Sequence, residues 1–287
     1  MKTKSLLVAL GILSTLGSSL RGEAAPTWRN DVADAFAEAR ATSKPLLVDL
    51  YADWCGWCKV MEQRVFPTAE FRDLAAGLVL LRVDVEDRGQ GTELAARYDS
   101  SSLPTLLLLE PSGALVGAVQ GFLEAPELVA RLAAERAVHE RRVASFSSAL
   151  AADDPQRLEL AALDFYRRND GPRAAALFAR LLAVASPAGE QLAWARYFLA
   201  DALRQARRFD EARREAERAR REAAGSDDAI LAERLALLPF WISRDAERCA
   251  DASRVLGRFE SEHPTSAFLP GARNAFERLR QSAETCS

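Results

Sequence analysis

Histidine and cysteine are scarce in this chain of 287 residues, with two of the first (His139, His263) and four of the second (Cys55, Cys58, Cys249, Cys286). A small secreted domain stapled by disulfides would be far denser in cysteine. A zinc site would need a second ligand pair near Cys55 and Cys58, yet the histidines are isolated and the other cysteines stand far apart in sequence. A c-type haem would need histidine directly after Cys58, where Lys59 stands. Lysine is equally sparse: Lys2, Lys4, Lys44 and Lys59 are all there is, and the remaining positive charge is arginine. No charge sign dominates either, with 38 Lys+Arg against 41 Asp+Glu, so nothing draws the chain toward nucleic acid or acidic lipid. At 49% hydrophobic and 28% charged, it is too apolar for a disordered chain. Its length suits one large domain or two ordinary ones.

After residue 20 no stretch is long and apolar enough to cross a bilayer. Before it, Lys2 and Lys4 form a basic head, and Leu6 to Leu20 is apolar but softened by Gly11, Ser14, Gly17, Ser18 and Ser19. Gly22-Glu23-Ala24 then places small residues where a signal peptidase needs them. The apolar run falls short of the roughly 20 residues that span a membrane. Residues 1–25 are therefore expected to be a signal peptide that exports the rest, to the periplasm if the source is bacterial. An uncleaved membrane anchor is the alternative.

From Trp28 to about Arg136, apolar runs of strand length alternate with segments of helical period. Strands are expected over 46–51, 78–85, 105–109 and 115–119, and helices around 32–39, 58–75, 92–98 and 126–137, with Pro67 dividing the second helix. This order predicts an α/β unit with a central mixed sheet flanked by helices over residues 26–138. Residues 139–287 hold no strand-like run and are dominated by Ala, Arg, Leu and Glu. Ala174-Phe178-Leu181, Ala212-Ala216-Ala219 and Ala252-Leu256-Phe259 repeat one spacing of small and apolar residues, and Phe165 and Leu203 each precede their copy by the same interval. Helix pairs of this kind stack into a solenoid, and the spacing resembles tetratricopeptide repeats; a plain helical bundle is the simpler alternative.

The chemistry concentrates in Val48-Asp49-Leu50-Tyr51-Ala52-Asp53-Trp54-Cys55-Gly56-Trp57-Cys58-Lys59. A Cys-x-x-Cys pair falls where a buried strand ends and a helix begins. Free backbone N–H groups and the positive end of the helix dipole favour a thiolate there, so Cys55, exposed at the helix start, should ionise below the usual pKa of about 8.5. Cys58, one turn further, can attack a mixed disulfide formed on Cys55. The two cysteines close a loop too short to stabilise much by restraining the unfolded chain, so chemistry explains them better than stapling.

With these residues, the segment from 28 to about 136 resembles a thioredoxin domain. The Asp-Leu-Tyr-Ala-Asp-Trp-Cys stretch is particularly similar to the C-terminal periplasmic domain of the DsbD family of disulfide reductases. The resemblance implies that Asp49 is a buried proton acceptor for Cys58. It implies that Leu103-Pro104-Thr105 carries a cis proline facing the cysteines, with the Leu103 backbone offered to a substrate strand. Gly121 would let the substrate approach the sheet edge, and Trp54, Gly56 and Trp57 would meet it beside the cysteines. Trp57 stands where many thioredoxins have proline, which leaves the redox direction open among reductase, oxidase and isomerase, with reductase favoured by the resemblance and by Asp49.

The resulting expectation is an exported thiol–disulfide oxidoreductase that needs no metal or cofactor. It would act on disulfide-bearing proteins, draw electrons from an upstream dithiol protein (a membrane reductase is one candidate) and dock a protein partner on its helical half. The competing class is an adaptor without catalysis. Cys249 and Cys286 are expected either to form a structural disulfide or to remain apart. Lys59 and Glu62 are read as solvated or ion-paired, Trp194 and Trp241 as core, and both histidines as surface residues.

Overall fold

The computed structural model describes residues 26–282, apart from 88, 186 and 187. The expected targeting segment, 1–25, and Cys286 lie outside the described residues, and with Cys286 the question of its pairing to Cys249. Among the described residues no helix is long and apolar enough to cross a membrane.

Five strands build one sheet: β1 (Trp28–Arg29), β2 (Leu46–Tyr51), β3 (Val79–Asp84), β4 (Thr105–Leu109) and β5 (Leu115–Gln120), in the order β1-β3-β2-β4-β5. The first three are parallel; β4 runs antiparallel to β2, and β5 to β4. Because β2 is covered on both faces, it reads as an unbroken apolar run interrupted only by Asp49. Its side chains alternate. Val48 and Leu50 pack with α1 (Val32–Thr42) and α4 (Gln90–Arg97). Leu47 packs on the opposite face with Met61 of α2 (Gly56–Arg64), Phe71 of α3 (Ala69–Ala75) and Leu128 and Leu132 of α5 (Ala125–Leu150).

The expected strands 46–51 and 105–109 stand at those bounds, that over 115–119 runs one residue further, and that over 78–85 is one residue shorter at each end. Pro67 separates α2 from α3, and Thr68 caps α3 by accepting from the Phe71 N–H at 3.2 Å. Two residues of β1 went unread because so short a strand has no periodicity to detect. The larger difference is α5, expected to end near Ala137 but continuous to Leu150. Neither glycine nor proline occurs between Pro126 and Pro155, so nothing stops the helix, and residue 138 lies inside it.

The second half is a run of antiparallel helices: α6 (Pro155–Arg167), α7 (Gly171–Ala185), α8 (Gly189–Gln205), α9 (Phe209–Glu222), α10 (Ala229–Asp245), α11 (Cys249–Glu262) and α12 (Leu269–Ser282). The three copies of the small-and-apolar pattern lie on α7, α9 and α11, and all their members are buried. The turns repeat with them. Asn169, Arg207 and Glu247 are left-handed, with φ of 56°, 58° and 57°. The N–H of the next residue returns to the carbonyl of Phe165, Leu203 and Ser243, at 3.0, 2.9 and 2.8 Å. This is the helix-ending bond of a Schellman turn, made three times by residues other than glycine. Gly171 opens α7 where a Cβ would stand 2.5 Å from the Ala202 carbonyl oxygen, so only glycine permits that approach to α8. The first helix of the third pair, α10, carries Pro239 in its interior and has Ser243 where the other two have Phe165 and Leu203.

Polar bonds join the halves at two places. The Leu115 N–H donates to the Arg168 carbonyl at 2.7 Å, and Asn169 Nδ2 donates to the Gly113 carbonyl at 3.2 Å. Nearby, His139 Nε2 lies 2.6 Å from Glu110 Oε1, which also faces Arg173. His139 is thus 8% exposed and not a surface residue; its position on the long α5, turned toward the β4–β5 hairpin, was invisible while that helix was expected to end earlier. At the second place, Glu93 of α4 receives Arg278 of α12 at 3.1 Å and Arg244 of α10 at 3.6 Å.

Candidate functional site

The chain leaves β2 at Tyr51, turns at Asp53-Trp54 and enters α2 at Gly56. Cys55 is the N-cap of that helix, and its Sγ accepts the Cys58 N–H at 3.1 Å. The two cysteines form a disulfide with their Cα atoms 5.3 Å apart. A sulfur in this position receives the N–H groups that a helix start leaves free, so the reduced Cys55 sulfur is favoured as thiolate.

Cys55 is not exposed, as the sequence led us to expect: it is 4% exposed and Cys58 1%. Exposure at the motif belongs to its neighbours, Trp54 at 67% and Trp57 at 59%. The Leu103–Pro104 peptide bond is cis and leads directly into β4. Thr105 pairs with Leu50 on β2, which fixes this loop beside the strand that delivers the cysteines. Thr105 is fully buried, and its hydroxyl donates to the Ser102 carbonyl at 2.7 Å. Gly121 follows β5 with φ of 83°, a conformation that favours glycine, and its N–H donates to the Pro104 carbonyl at 2.8 Å. Trp54, Cys55, Gly56, Trp57 and Cys58 thus lie at the same end of the sheet as Leu103, Pro104, Thr105 and Gly121.

Asp49 sits beneath that end, 1% exposed, and by strand alternation it points to the face that α2 covers. Arg82 stands opposite it in register on β3. The guanidinium bridges two acids, with Nε 3.2 Å from Asp49 and Nη1 2.9 Å from Glu62 on α2, and lies over the Tyr51 ring at 4.3 Å. The Asp49 contact is an ion pair without hydrogen-bond alignment, and neither carboxylate oxygen of Asp49 has a hydrogen-bond partner. Burial therefore pushes Asp49 up to about 7, against the attraction of Arg82 and with help from the Glu62 charge. Glu62 is held below its usual range by its bond to Arg82. Near neutral pH, Asp49 can both take and give a proton, as a group serving a buried thiol must. Glu62 is the ion-paired residue expected, and Arg82 the one unread. Its signal was available, since it is the single charge inside the apolar run Val79-Leu80-Leu81-Arg82-Val83.

A second unread residue is Phe122, which stacks on Trp57 with ring centroids 5.1 Å apart and planes at 29°. Lys59 lies on the exposed side of α2. Trp194 packs in the core of the helical half and donates to Asp228 at 2.9 Å, and Trp241 packs in the last cluster beside Phe240. His263 is half-buried with its ring 4.9 Å from that of Phe259. Cys249 is buried at the start of α11.

Comparison with known proteins places the first half. A family model described as thioredoxin-like matches residues 27–111. Over 99 residues the chain is 36% identical to the thiol:disulfide interchange protein DsbD of Cronobacter sakazakii, covering 33% of this chain and 17% of that protein. Over 80 residues it is 40% identical to DsbD of Pseudomonas fluorescens, covering 28% of this chain and 14% of that one. The chain thus spans about a sixth of the length of these relatives. Among solved structures, a DsbH oxidoreductase aligns over 47% of this chain and 94% of its own, at 20% identity and a TM-score of 0.36. The oxidised C-terminal domain of Neisseria meningitidis DsbD aligns over 38% and 100%, at 21% identity and a TM-score of 0.35.

Proposed function

We propose that this chain, whose N-terminal unit is a thioredoxin-like domain, is a thiol–disulfide oxidoreductase that works as a reductant of protein disulfides. The observation that carries the proposal is the Cys55–Cys58 disulfide at the start of α2, above a buried carboxylate that titrates near neutrality. In the reduced protein the Cys55 thiolate attacks one sulfur of a partner disulfide. A Cys55–partner mixed disulfide forms, and the partner's other sulfur leaves as a thiolate. Asp49 accepts the Cys58 proton, and the Cys58 thiolate attacks Cys55 Sγ. This closes the disulfide present in the structure and releases the second partner sulfur. The partner gains two electrons and, with two protons, becomes a dithiol; the protein loses both. An upstream dithiol protein restores the reduced form.

The arrangement of the second half supports a docking role. Three helix–turn–helix units of one pattern, similar to tetratricopeptide repeats, stack into an extended surface for a protein partner. The basic head, short apolar run and small-residue site of residues 1–25 support export to the periplasm, where such disulfides form.

The test is insulin reduction followed by turbidity, with dithiothreitol as electron source. The wild type should accelerate precipitation well above the reagent alone, and Cys55→Ser should fall to the reagent's rate. Equal rates for the two proteins would leave a non-catalytic adaptor as the better reading.

A further inference from the structure

An indole left in water beside a reactive sulfur asks for a partner. Trp54 and Trp57 are the most exposed aromatic side chains among the described residues, and both flank Cys55. Trp57 is held in place rather than loose. Its ring lies on Phe122, which in turn packs against the core cluster beneath α2 and α5. Phe122 follows Gly121, whose N–H is bonded to the Pro104 carbonyl, so the stack ties the start of α2 to the chain leaving β5 and to the cis-proline loop. The space in front is open, since a Cβ built at Gly56 or at Gly121 would meet nothing within 4 Å. Glu124, two residues beyond Phe122, is paired with Arg64 of α2 at 2.7 Å, and Asp53 and Lys59 stand exposed on either side of the motif.

Resting on the reductase reading above, the geometry points to the Trp57–Phe122 stack as the specificity-determining element for the partner: it selects disulfides that carry an aromatic or large aliphatic residue two positions after the cysteine. The reason is reach. For exchange, the partner's sulfur must come within bonding distance of Cys55 Sγ. In an extended partner segment side chains alternate between faces, so the side chain two residues from the cysteine stands on the same face, about 7 Å along the chain. Trp57 is two residues from Cys55 and faces that space. A flat or branched apolar side chain gains contact with an indole already held by Phe122, so no loop must be ordered on binding. Phe122 acts here as a positioning residue, through Trp57.

The experiment measures the rate at which the reduced protein exchanges with disulfide-bonded peptides that differ only in the residue two positions after cysteine: Phe, Leu or Ser. The Trp57–Phe122 stack predicts a preference of about tenfold for Phe over Ser, the upper range for one aromatic contact, with Leu between them. In Phe122→Ala the Phe-to-Ser ratio should fall to about twofold or less, and in Phe122→Tyr it should be kept. Each ratio is taken within one protein preparation, so any inactive fraction cancels. Equal rates for Phe and Ser peptides in the wild type, or a Phe122→Ala ratio as high as the wild type's, would overturn the assignment. Hydroxyethyl disulfide, which has no flanking side chain, separates the two levels. Wild type that exchanges with it but shows flat peptide ratios loses the selector alone, whereas wild type that does not exchange with it loses the oxidoreductase reading as well.

Discussion

Asp49 in the first half and Asp245 in the second are both acids drawn into the protein, and their surroundings move them in opposite directions. Asp245 lies at the end of α10 with Arg204 and Arg244 against it, and the attraction of the two guanidiniums outweighs burial, so it stays below the usual carboxylate range. Neighbouring Asp201 is similarly served, accepting from Tyr166 at 2.7 Å and Arg204 at 2.6 Å. Asp49 faces a single arginine, which it shares with Glu62, and its oxygens accept no hydrogen bond. Asp245 and Asp201 of the helical half are each met by arginine side chains. In the sheet half Asp49 is left without a hydrogen bond, and burial pushes it up to about 7.

The largest effect that could break this contrast is the pH dependence of Asp49. Its folded pKa is above its unfolded one, so the folded state binds the extra proton and stability falls as pH rises from about 4 to about 7. From 3.8 to about 7 this amounts to roughly 4 kcal/mol. Asp49→Asn should therefore unfold at higher urea than the wild type at pH 8, by most of that amount, and show little gain at pH 4. A wild type whose urea midpoint is flat over this window would mean that Asp49 is ionised throughout. Asp245→Asn should act with the opposite sign. Removing one partner of the Arg204 and Arg244 pairs costs about 3 kcal/mol at neutral pH. Because the folded pKa of Asp245 is lowered, its stabilising effect is present above about pH 4 and fades in acid, so mutant and wild type should converge there. Hydrogen exchange read by mass spectrometry can assign each loss to its own half.

Smaller changes sharpen the comparison. Gly171→Ala forces a Cβ against the backbone of α8 and should cost about 1–3 kcal/mol, seen as faster exchange over α6 to α9 with the thiol reactivity of Cys55 unchanged. Glu93→Ala removes the partner of Arg278 and Arg244 between the halves; Glu93 is about a third exposed and Arg244 keeps Asp245, so the loss should be about 1 kcal/mol. A much larger loss on urea unfolding would show that the halves fold as one cooperative body.

The parts of the fold set by local chemistry were legible in advance. Apolar runs of strand length gave β2 and β4, Pro67 marked the break between α2 and α3, and the three small-and-apolar triplets lie on α7, α9 and α11. The extent of α5 could not be read from its apolar positions, because past Ala137 the helix touches elements distant in sequence and its pattern weakens. Of the left-handed turns, Asn169 is a residue that helix ends favour, whereas Arg207 and Glu247 gave no signal, since the repeat that imposes the turn lies in the flanking helices. At the site, the cysteine pair and Asp49 stood out from spacing and from the resemblance to thioredoxin domains. Arg82 and Phe122 did not, because each matters through a residue brought beside it only by β3 pairing with β2 or by the chain leaving β5. The burial of Cys55 was missed because a helix start says nothing of what covers it.

Everything proposed for the sheet half depends on Cys55 ionising readily once the disulfide is opened. The direct measurement is the rate of iodoacetamide alkylation at Cys55 in the reduced protein between pH 5 and 9, read from the mass of the Cys55 peptide. A thiolate stabilised at the start of α2 should give a midpoint well below the free-thiol value of about 8.5, with alkylation already fast at pH 7. A midpoint at or above that value, with a rate no faster than that of a free cysteine peptide, would contradict it.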